Sequence, residues 1–268
     1  MLHSAYVKCP VCGRDNWRTV INGDGFRIDR CASGCIGRTV PPPEYSPDLP
    51  PEARFESLTR ISKSSGHFRF ADEILNFVKT VQPSGKLLDI GSGWGHLLIS
   101  ALDRGYDAIG LEASSEAVNL SREAFGVNPI VGVFPDYTFE PCSFDVVVMN
   151  HMLEHLQDPA TALSEVARIL KPDGICAIDA PDFDSLIRRI RGGMWQGIQP
   201  SQHVWQLSMR SILELVRGAG LTPIVARRSN LEYPRGSRPF QKWLMLRFML
   251  MIADLFGMGD NAIVLARK

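Results

Sequence analysis

The stretch that decides the fold is Lys86-Leu87-Leu88-Asp89-Ile90-Gly91-Ser92-Gly93-Trp94-Gly95, an apolar run followed by a turn with glycine at every second position. The periodic segment His96 to Arg104 then predicts a helix. A second apolar run ends in Glu112, whose carboxylate can accept both hydroxyls of a ribose. A glycine turn between a strand and a helix lets a nucleotide-like ligand approach the backbone. Position 96 is histidine rather than the third glycine of the dinucleotide fingerprint. The pattern therefore indicates an adenosine-containing ligand without a required pyrophosphate.

Strand and helix patterns alternate through the rest of the chain. Continuous apolar strands between amphipathic helices predict an α/β fold, with a mostly parallel, doubly wound sheet covered on both faces. The predicted strands are Leu87–Ile90, Ala108–Leu111, Ile130–Val131, Phe144–Met149, Gly174–Asp179, Pro223–Arg227 and Ala262–Ala266, and the main predicted helices are Ala71–Val81, His96–Arg104, Ser114–Phe125, Pro159–Leu170 and Ser208–Arg217.

The glycine turn belongs to a larger set of matching segments. Leu88 to Gly95 resembles the first motif of class I S-adenosylmethionine-dependent methyltransferases, and Gly110 to Glu112 resembles the second. A lone glycine turn is often only a tight connection, but five segments in the right order favour the family. The three later segments that resemble it are Ser143–His151, Leu153–Pro159 and Leu170–Gly174.

The resemblance implies a Rossmann-like sheet of seven strands, the last one antiparallel, with S-adenosylmethionine as co-substrate. Val133 or Phe134 stands where many relatives carry an acid for the adenine amine, so adenine recognition would depend on backbone groups and apolar contacts. Asn150 and His151 end the fourth strand, where ligands of doubly wound sheets bind. The residues implied to bind the cofactor are Asp89, Gly91, Gly93, Gly95, Glu112 and Asn150.

Four of the six cysteines lie in the first 35 residues, as Cys9-x-x-Cys12 and Cys31-x-x-x-Cys35. Two close pairs separated by 18 residues predict a structural zinc site. The second pair is wider than the usual C-x-x-C, so one ligand could be displaced, with His3 as a substitute. Disulfides are the competing interpretation, which a reducing cytoplasm disfavours. The segment from Trp17 to Arg30 predicts a hairpin between the pairs.

These patterns divide the chain into a zinc ribbon at 1–40, a proline-rich linker at 41–60 and a methyltransferase domain at 61–268. Six prolines between positions 41 and 51 make that linker stiff. A ribbon joined to such a domain is similar to bacterial sugar methyltransferases, and less closely to ribosomal-RNA guanine methyltransferases. With 29 basic and 29 acidic side chains the net charge is zero, which argues against a nucleic-acid partner.

Methyl transfer requires alignment of a nucleophile and, for a hydroxyl or amine, a base. His151 and His203 are the candidate bases, because the pKa of histidine lies near working pH. His155 lies one helical turn past His151 and is often structural in relatives. Trp195 and Trp205, on either side of a glutamine-rich loop, are expected to offer flat faces to a sugar. Asp179 and Asp182 could bind sugar hydroxyls, or Asp182 could cap a helix.

The leading hypothesis is a methyltransferase that acts on a hydroxyl, amine or carbon of a sugar or other small metabolite, and nucleotide-linked and lipid-linked forms are among the candidate acceptors. The alternatives are an RNA methyltransferase that uses the ribbon to bind nucleic acid, and a non-catalytic nucleoside-binding scaffold. A methionine-rich helix at 240–256 is expected to cover the pocket or form a homodimer contact, with docking on a membrane surface second. We expect no signal peptide and no transmembrane span, and a cytoplasmic protein.

Overall fold

The computed structural model describes residues 8–44, 66–230, 244, 248, 251–252 and 257–268. The strands are β1 Trp17–Asn22, β2 Arg27–Cys31, β3 Gly37–Val40, β4 Lys86–Ile90, β5 Asp107–Glu112, β6 Ile130–Val131, β7 Phe144–Asn150, β8 Leu170–Pro181, β9 Trp205–Gln206, β10 Thr222–Ser229 and β11 Asn261–Arg267. The helices are α1 Gly66–Val81, α2 His96–Asp103, α3 Ser115–Phe125, α4 Pro159–Ile169, α5 Leu186–Arg191 and α6 Met209–Gly218. The elements predicted within these ranges are confirmed.

The main sheet has seven strands in the order β10-β11-β8-β7-β4-β5-β6. It is parallel except for β11, which runs antiparallel to both β8 and β10. The chain leaves β4 toward β5 and β6, and then crosses to β7 on the other side of β4. This reversal is a topological switch point, where doubly wound sheets bind their ligands at the carboxyl ends of the strands. The predicted Rossmann-like fold with an antiparallel last strand is confirmed.

The central strands form the core because their side chains are apolar on both faces. Ile90, Val147 and Ile178 pack in one buried cluster, and Val146, Val148 and Ala177 in another, on the opposite face of the sheet. Amphipathic helices cover both clusters, so both faces of the sheet are buried. Polar side chains of these strands can therefore contact a ligand only at the strand ends.

Local sequence signals set the helix boundaries around the sheet. Ser114 begins α3, since its hydroxyl accepts a hydrogen bond from the Ala117 backbone N–H, and Gly126 ends it in the left-handed conformation. Asp158 begins α4 by accepting from two backbone N–H groups, with Pro159 in the first turn. These ends hold the loops that carry Glu112 and the segment after β7.

The N-terminal module forms a second sheet, and part of that sheet comes from the larger α/β domain. Its four strands have the order β1-β2-β3-β9. The predicted hairpin is β1 and β2, while Gly37 and Arg38 of β3 pair with Gln206 and Trp205 of β9. The module therefore packs directly against the loop that precedes β9.

Two predicted segments fall largely outside the described residues. Of the linker at 41–60, only 41–44 are described, and of the 240–256 helix only residues 244, 248, 251 and 252. These four residues are helical, and the side chains of Leu244, Phe248 and Met251 are exposed. Whether this helix covers a pocket, joins two copies or contacts a membrane stays a prediction. No helix within the described ranges is long and apolar enough to cross a bilayer.

Candidate active site

The glycine turn after β4 is fixed by hydrogen bonds to the next strand. The backbone N–H groups of Gly91 and Ser92 donate to the Leu111 carbonyl at 2.8 and 3.2 Å. Gly93 has φ +52°, and a Cβ placed on it would meet no atom within 4 Å. Gly95 has φ +83°, and a Cβ there would lie 2.9 Å from Val127 Cγ2. Gly95 is therefore required for packing, whereas Gly93 borders open space that a ligand can enter.

Glu112 connects this turn to the loop after β5. Its Oε2 accepts a hydrogen bond from the Gly93 N–H at 2.8 Å, and its Oε1 accepts one from the Ser114 N–H at 2.8 Å. A carboxylate has about four acceptor sites, so two remain for other donors. The arrangement presents a partly buried carboxylate at the mouth of the glycine turn, as the sequence predicts.

Asp89 lies beneath the turn at the end of β4. Its side chain is buried, and its Oδ2 has no hydrogen-bond partner among the described residues. Burial, and secondarily the negative charge of Glu112, raise the pKa of Asp89 to about 8. The structure thus brings Asp89 and Glu112 together with the three glycines, and Asp89 carries a proton at neutral pH.

The end of β7 lies beside the glycine turn. Asn150 is in register with Asp179 of β8, and its Oδ1 is buried without a hydrogen-bond partner within the described part of the chain. His151 has φ +51°, and its backbone N–H donates to the Asp179 carbonyl at 2.7 Å. An unpaired acceptor at a strand end on the switch point is a position where a ligand donor can bind.

His151 belongs to a cluster of titratable side chains. Its Nδ1 lies 3.4 Å from Glu154 Oε1, and about 30% of its side chain is exposed. Burial lowers the pKa of His151, but Glu154 and Asp179 outweigh this effect and raise it overall. Burial also raises the pKa of Asp179 to about 7, although Asn261 donates a hydrogen bond to it. His151 is thus a comparatively strong base that remains open to solvent.

His203 lies deeper, on the far side of Glu154. Its Nδ1 is 3.0 Å from the Gly197 carbonyl oxygen, and its Nε2 is 4.0 Å from Glu154 Oε1. Burial lowers the pKa of His203 to about 4, which keeps its imidazole neutral. Glu154 is buried as well, yet its three neighbouring histidines hold its pKa at about 2. The structure brings both predicted histidines to one carboxylate, and only His151 is exposed.

The expectation that two tryptophans line a sugar pocket is wrong. Trp195 and Trp205 are 2% and 0% exposed. Trp195 Nε1 donates to Asp260 at 2.7 Å, and Trp205 Nε1 donates to the Leu156 carbonyl at 2.9 Å. The N-terminal module covers both rings, and burial of such large apolar side chains stabilises the fold.

Asp182 is also structural. It accepts hydrogen bonds from the Asp184 and Met209 backbone N–H groups and pairs with Arg228 at 2.6 Å. Ser185, rather than Asp182, caps α5, because its hydroxyl accepts from the Arg188 N–H. Asp182 is also 0% exposed, so a sugar hydroxyl in solvent cannot reach it.

The four cysteines at the N-terminus form one cluster. Their sulfur atoms all lie within 4.8 Å of one another, and none forms a disulfide. Four convergent thiol groups fit a tetrahedral zinc ion, for which each thiolate lies about 2.3 Å from the metal. The predicted set of Cys9, Cys12, Cys31 and Cys35 is thus assembled, and it lies outside the glycine site.

The N-terminal module supports the loop that carries His203. The Thr39 N–H donates to the Val204 carbonyl at 3.0 Å, and Thr39 Oγ1 donates to the His203 carbonyl at 2.6 Å. Arg30 adds two contacts of 2.6 and 2.7 Å to the carboxylate of Asp184. Sequence patterns do not reveal this contact, since a two-residue strand such as β9 has no periodicity. They also give no role to Glu154, although its position one helical turn after His151 was a usable signal.

Comparisons with known proteins agree with this geometry. The model of a family described as "Methyltransferase domain" matches residues 65–226. The chain therefore belongs to the methyltransferase domain family, and its domain has the Rossmann-like fold of solved methyltransferases.

The chain is 32% identical over 146 residues to the ubiquinone biosynthesis O-methyltransferase of Hahella chejuensis. The aligned region covers 48% of this chain and 60% of that protein. It is 33% identical over 112 residues to an uncharacterised transposon protein of Streptomyces fradiae. That aligned region covers 39% of this chain and 32% of that protein. The chain thus spans between about a third and three fifths of the length of these relatives.

Solved structures with similar folds include two methyltransferases. An S-adenosylmethionine-dependent methyltransferase from Archaeoglobus fulgidus has a TM-score of 0.58 at 15% identity, covering 80% of this chain and all of that one. The 1,6-didemethyltoxoflavin-N1-methyltransferase of Burkholderia thailandensis has a TM-score of 0.52 at 16% identity, covering 94% of this chain and 99% of that one. At these identities the likeness concerns the fold alone.

Proposed function

We propose that this chain transfers a methyl group from S-adenosylmethionine to a hydroxyl, amine or carbon of a small metabolite. A sugar is the favoured acceptor because a cysteine-rich N-terminal module joined to such a domain resembles bacterial sugar methyltransferases. The observation that carries the proposal is the contact between the Gly93 N–H and the Glu112 carboxylate, next to the open space over Gly93. It lies at the switch point of the sheet, where such folds bind adenosine-containing ligands. Family membership supports the same chemistry.

The cofactor would be held by residues that still have binding capacity. Glu112 has spare acceptor sites for ribose hydroxyls, and the glycine turn of Gly91, Gly93 and Gly95 allows close approach of the ligand. Asn150 Oδ1 is unpaired within the described residues and borders the same edge. Asp89 lies beneath the turn, and its buried Oδ2 has no hydrogen-bond partner among the described residues. When bound, the cofactor supplies a methyl group that is already electrophilic, so the protein needs to align the acceptor and remove a proton.

His151 is the first candidate for the base, and His203 is the second. His151 is partly exposed, so it can reach an acceptor. Its pKa is raised, so it is a stronger base than the buried His203. His151→Ala should lower turnover about 10²–10⁴-fold with cofactor affinity kept. His203→Ala should have a smaller effect on the chemical step and a larger one on stability. Single-turnover rates of the two variants distinguish these roles, and an unchanged rate in His151→Ala would leave alignment as the main catalytic effect.

The cysteine cluster is proposed to hold one structural zinc ion. Its role would be to keep β3 in place against β9, because a module of this size has too small a core to fold without a metal. We expect such an enzyme to work in the cytoplasm, where reducing conditions keep the thiols free. Metal analysis of protein purified without chelator should find about one zinc in the ribbon of each chain.

A small acceptor is favoured over RNA because two arginines of the module already interact with groups inside the protein. Arg30 pairs with Asp184, and Arg38 lies 4.3 Å over the Trp17 ring and 3.5 Å from Asp29. Guanidinium groups that already form ion pairs or cation–π contacts within the protein are less available to bind RNA phosphates.

Acceptor screening with labelled S-adenosylmethionine tests the proposed activity. Nucleotide-sugars, glycolipid extracts and RNA would be offered in parallel, and label should transfer to a sugar-containing fraction. Transfer to RNA alone would replace the proposed acceptor class. Binding of S-adenosylhomocysteine without transfer to any fraction would favour the non-catalytic scaffold.

A further inference from the structure

We propose that Glu154, His155 and His203 bind a divalent transition-metal ion, at a site separate from the cysteine cluster. The three side chains come from the 3₁₀ turn Leu153–His155 and from the loop before β9. One ligand atom from each lies within 4.8 Å of the others. Ligands bonded to a zinc-sized ion at about 2.0–2.2 Å lie roughly 3.3–3.5 Å apart. Small side-chain rotations would therefore close the set around an ion.

The carboxylate of Glu154 is the first argument for an ion. It is 1% exposed, and neither oxygen accepts a well-formed hydrogen bond among the described residues. The nearest side-chain nitrogens are His151 Nδ1 at 3.4 Å and His203 Nε2 at 4.0 Å from Oε1. A buried carboxylate is costly unless it is paired or coordinates a metal. A cation between Glu154 and the histidines would satisfy both oxygens.

The orientation of the two histidines is the second argument. His155 Nδ1 lies 3.1 Å from the Gln202 carbonyl oxygen, and His203 Nδ1 lies 3.0 Å from the Gly197 carbonyl oxygen. A carbonyl can only accept, so each Nδ1 carries the proton and each Nε2 has a free lone pair. Metal-binding histidines show this pattern, in which the second ring nitrogen donates to a backbone carbonyl. The rings meet edge to face, with centroids 4.8 Å apart.

The backbone holds the two halves of the site in register. The Val204 N–H donates to the Glu154 carbonyl at 3.0 Å, which fixes the residue after His203 against the turn that carries Glu154. His203 is in turn held by Thr39 of the N-terminal module. His155 is the partly exposed member, so an ion has a path from solvent.

Two imidazoles and one carboxylate form a donor set suited to zinc and its first-row neighbours. Three protein ligands leave open coordination positions, which is typical of catalytic rather than structural metal sites. Given the proposed methyl transfer, an oxygen of the acceptor could occupy one of these positions. His203 would then be a metal ligand, and His151 would remain as the base.

Cobalt titration of the full-length protein, with the ribbon loaded with zinc, tests this site. Co²⁺ should bind with d–d absorption in the visible range but without the sulfur-to-metal charge-transfer band that thiolate ligands give. His155→Ala and Glu154→Gln should each weaken Co²⁺ binding at least about tenfold, as loss of a ligand requires. Gln157→Ala alters an exposed residue two positions after this turn; it is the matched control and should bind like the wild type.

Thermal melts should show that His155→Ala folds, since this side chain is partly exposed, so the proposal is testable even if Glu154→Gln does not fold. Equal Co²⁺ binding by wild type and His155→Ala, or a thiolate spectrum only, would overturn the site and leave Glu154 as an ion-pair partner of His151. Calorimetry with S-adenosylhomocysteine on the same samples separates this outcome from failure of the proposed function, because cofactor binding does not require the ion.

Discussion

The candidate active site has two edges, one proposed to bind the cofactor and the other the acceptor, and they are built in different ways. The cofactor edge comes from two adjacent strands, and its key contact joins Gly93 to Glu112, only 19 residues apart in sequence. The acceptor edge joins the turn after β7 to the loop before β9 and to the N-terminal module, which contacts His203 from 164 residues away. A local motif can be recognised from its spacing, whereas an edge assembled from distant segments depends on tertiary packing. This difference predicts that variants will separate cofactor binding from acceptor chemistry.

The largest loss of turnover is expected for the cysteine cluster that is proposed to hold zinc. Cys31→Ser removes a buried member of this cluster, so the module should lose the proposed zinc ion and β3 should no longer support His203. Turnover should fall about 10²-fold or more, since a displacement near 1 Å can cost that much. Affinity for S-adenosylhomocysteine should be unchanged. Cys142→Ser, which alters an exposed cysteine outside the cluster, is the control. If affinity and turnover fall together, the two edges are not independent.

The next effect separates two glycines of the cofactor edge. Gly95→Ala places a Cβ 2.9 Å from Val127 and 3.0 Å from Ser121 at a positive φ, and should cost about 2–4 kcal/mol of unfolding free energy. Gly93→Ala has open space and should cost only about 1 kcal/mol, while it weakens ligand binding. Urea denaturation and calorimetry measure the two quantities. Equal stability losses would contradict the open space over Gly93. Unchanged ligand affinity in Gly93→Ala would contradict a ligand site there.

Asp89→Asn tests the electrostatics of the cofactor edge. The pKa of Asp89 is about 8 in the folded protein and about 3.9 in an unfolded chain. Between these values the folded state binds more protons, so the free energy of unfolding falls as pH rises. The variant should therefore gain stability relative to wild type between pH 5 and pH 8, by at least about 1 kcal/mol. Asp179 contributes a remaining slope of the same sign. Parallel pH profiles for the two proteins would rule out a raised pKa at Asp89.

The last comparison concerns the buried tryptophans of the acceptor edge, whose replacement should lower stability without affecting ligand binding. Trp195→Phe removes a hydrogen bond to the buried carboxylate of Asp260 and should cost about 1.5–3 kcal/mol. Trp205→Phe removes one to the neutral Leu156 carbonyl and should cost about 1 kcal/mol. Chemical denaturation of both variants gives the comparison. If an added sugar quenched the fluorescence of either tryptophan by direct contact, their assignment to the core would fail.

The sequence predicts the cofactor edge well because its signals are local. Apolar runs that end in glycine or an acid define β4 and β5, and the chain order then places Gly93 and Glu112 side by side. The cysteine pairs are predicted for the same reason, since their spacing alone brings four thiols together.

The acceptor edge is predicted less well because its contacts are not local. Sequence spacing suggested that Trp205 would be exposed in a loop, but β3 pairs with β9 and buries it. The same packing turns His203 inward toward Glu154, a relationship that their separation of 49 positions hides in the sequence. Neither result follows from hydrophobic periodicity, because each depends on how the module packs on the domain.

Calorimetric titration of S-adenosylhomocysteine into the wild type and Glu112→Ala tests most directly whether the glycine turn and Glu112 form a cofactor site. The wild type should bind, and the variant should lose roughly 1.5–3 kcal/mol of binding free energy, because a charge-assisted pair with the ribose is removed. Equal affinity in the two proteins, or tight binding of NADH in place of S-adenosylhomocysteine, would contradict the assignment.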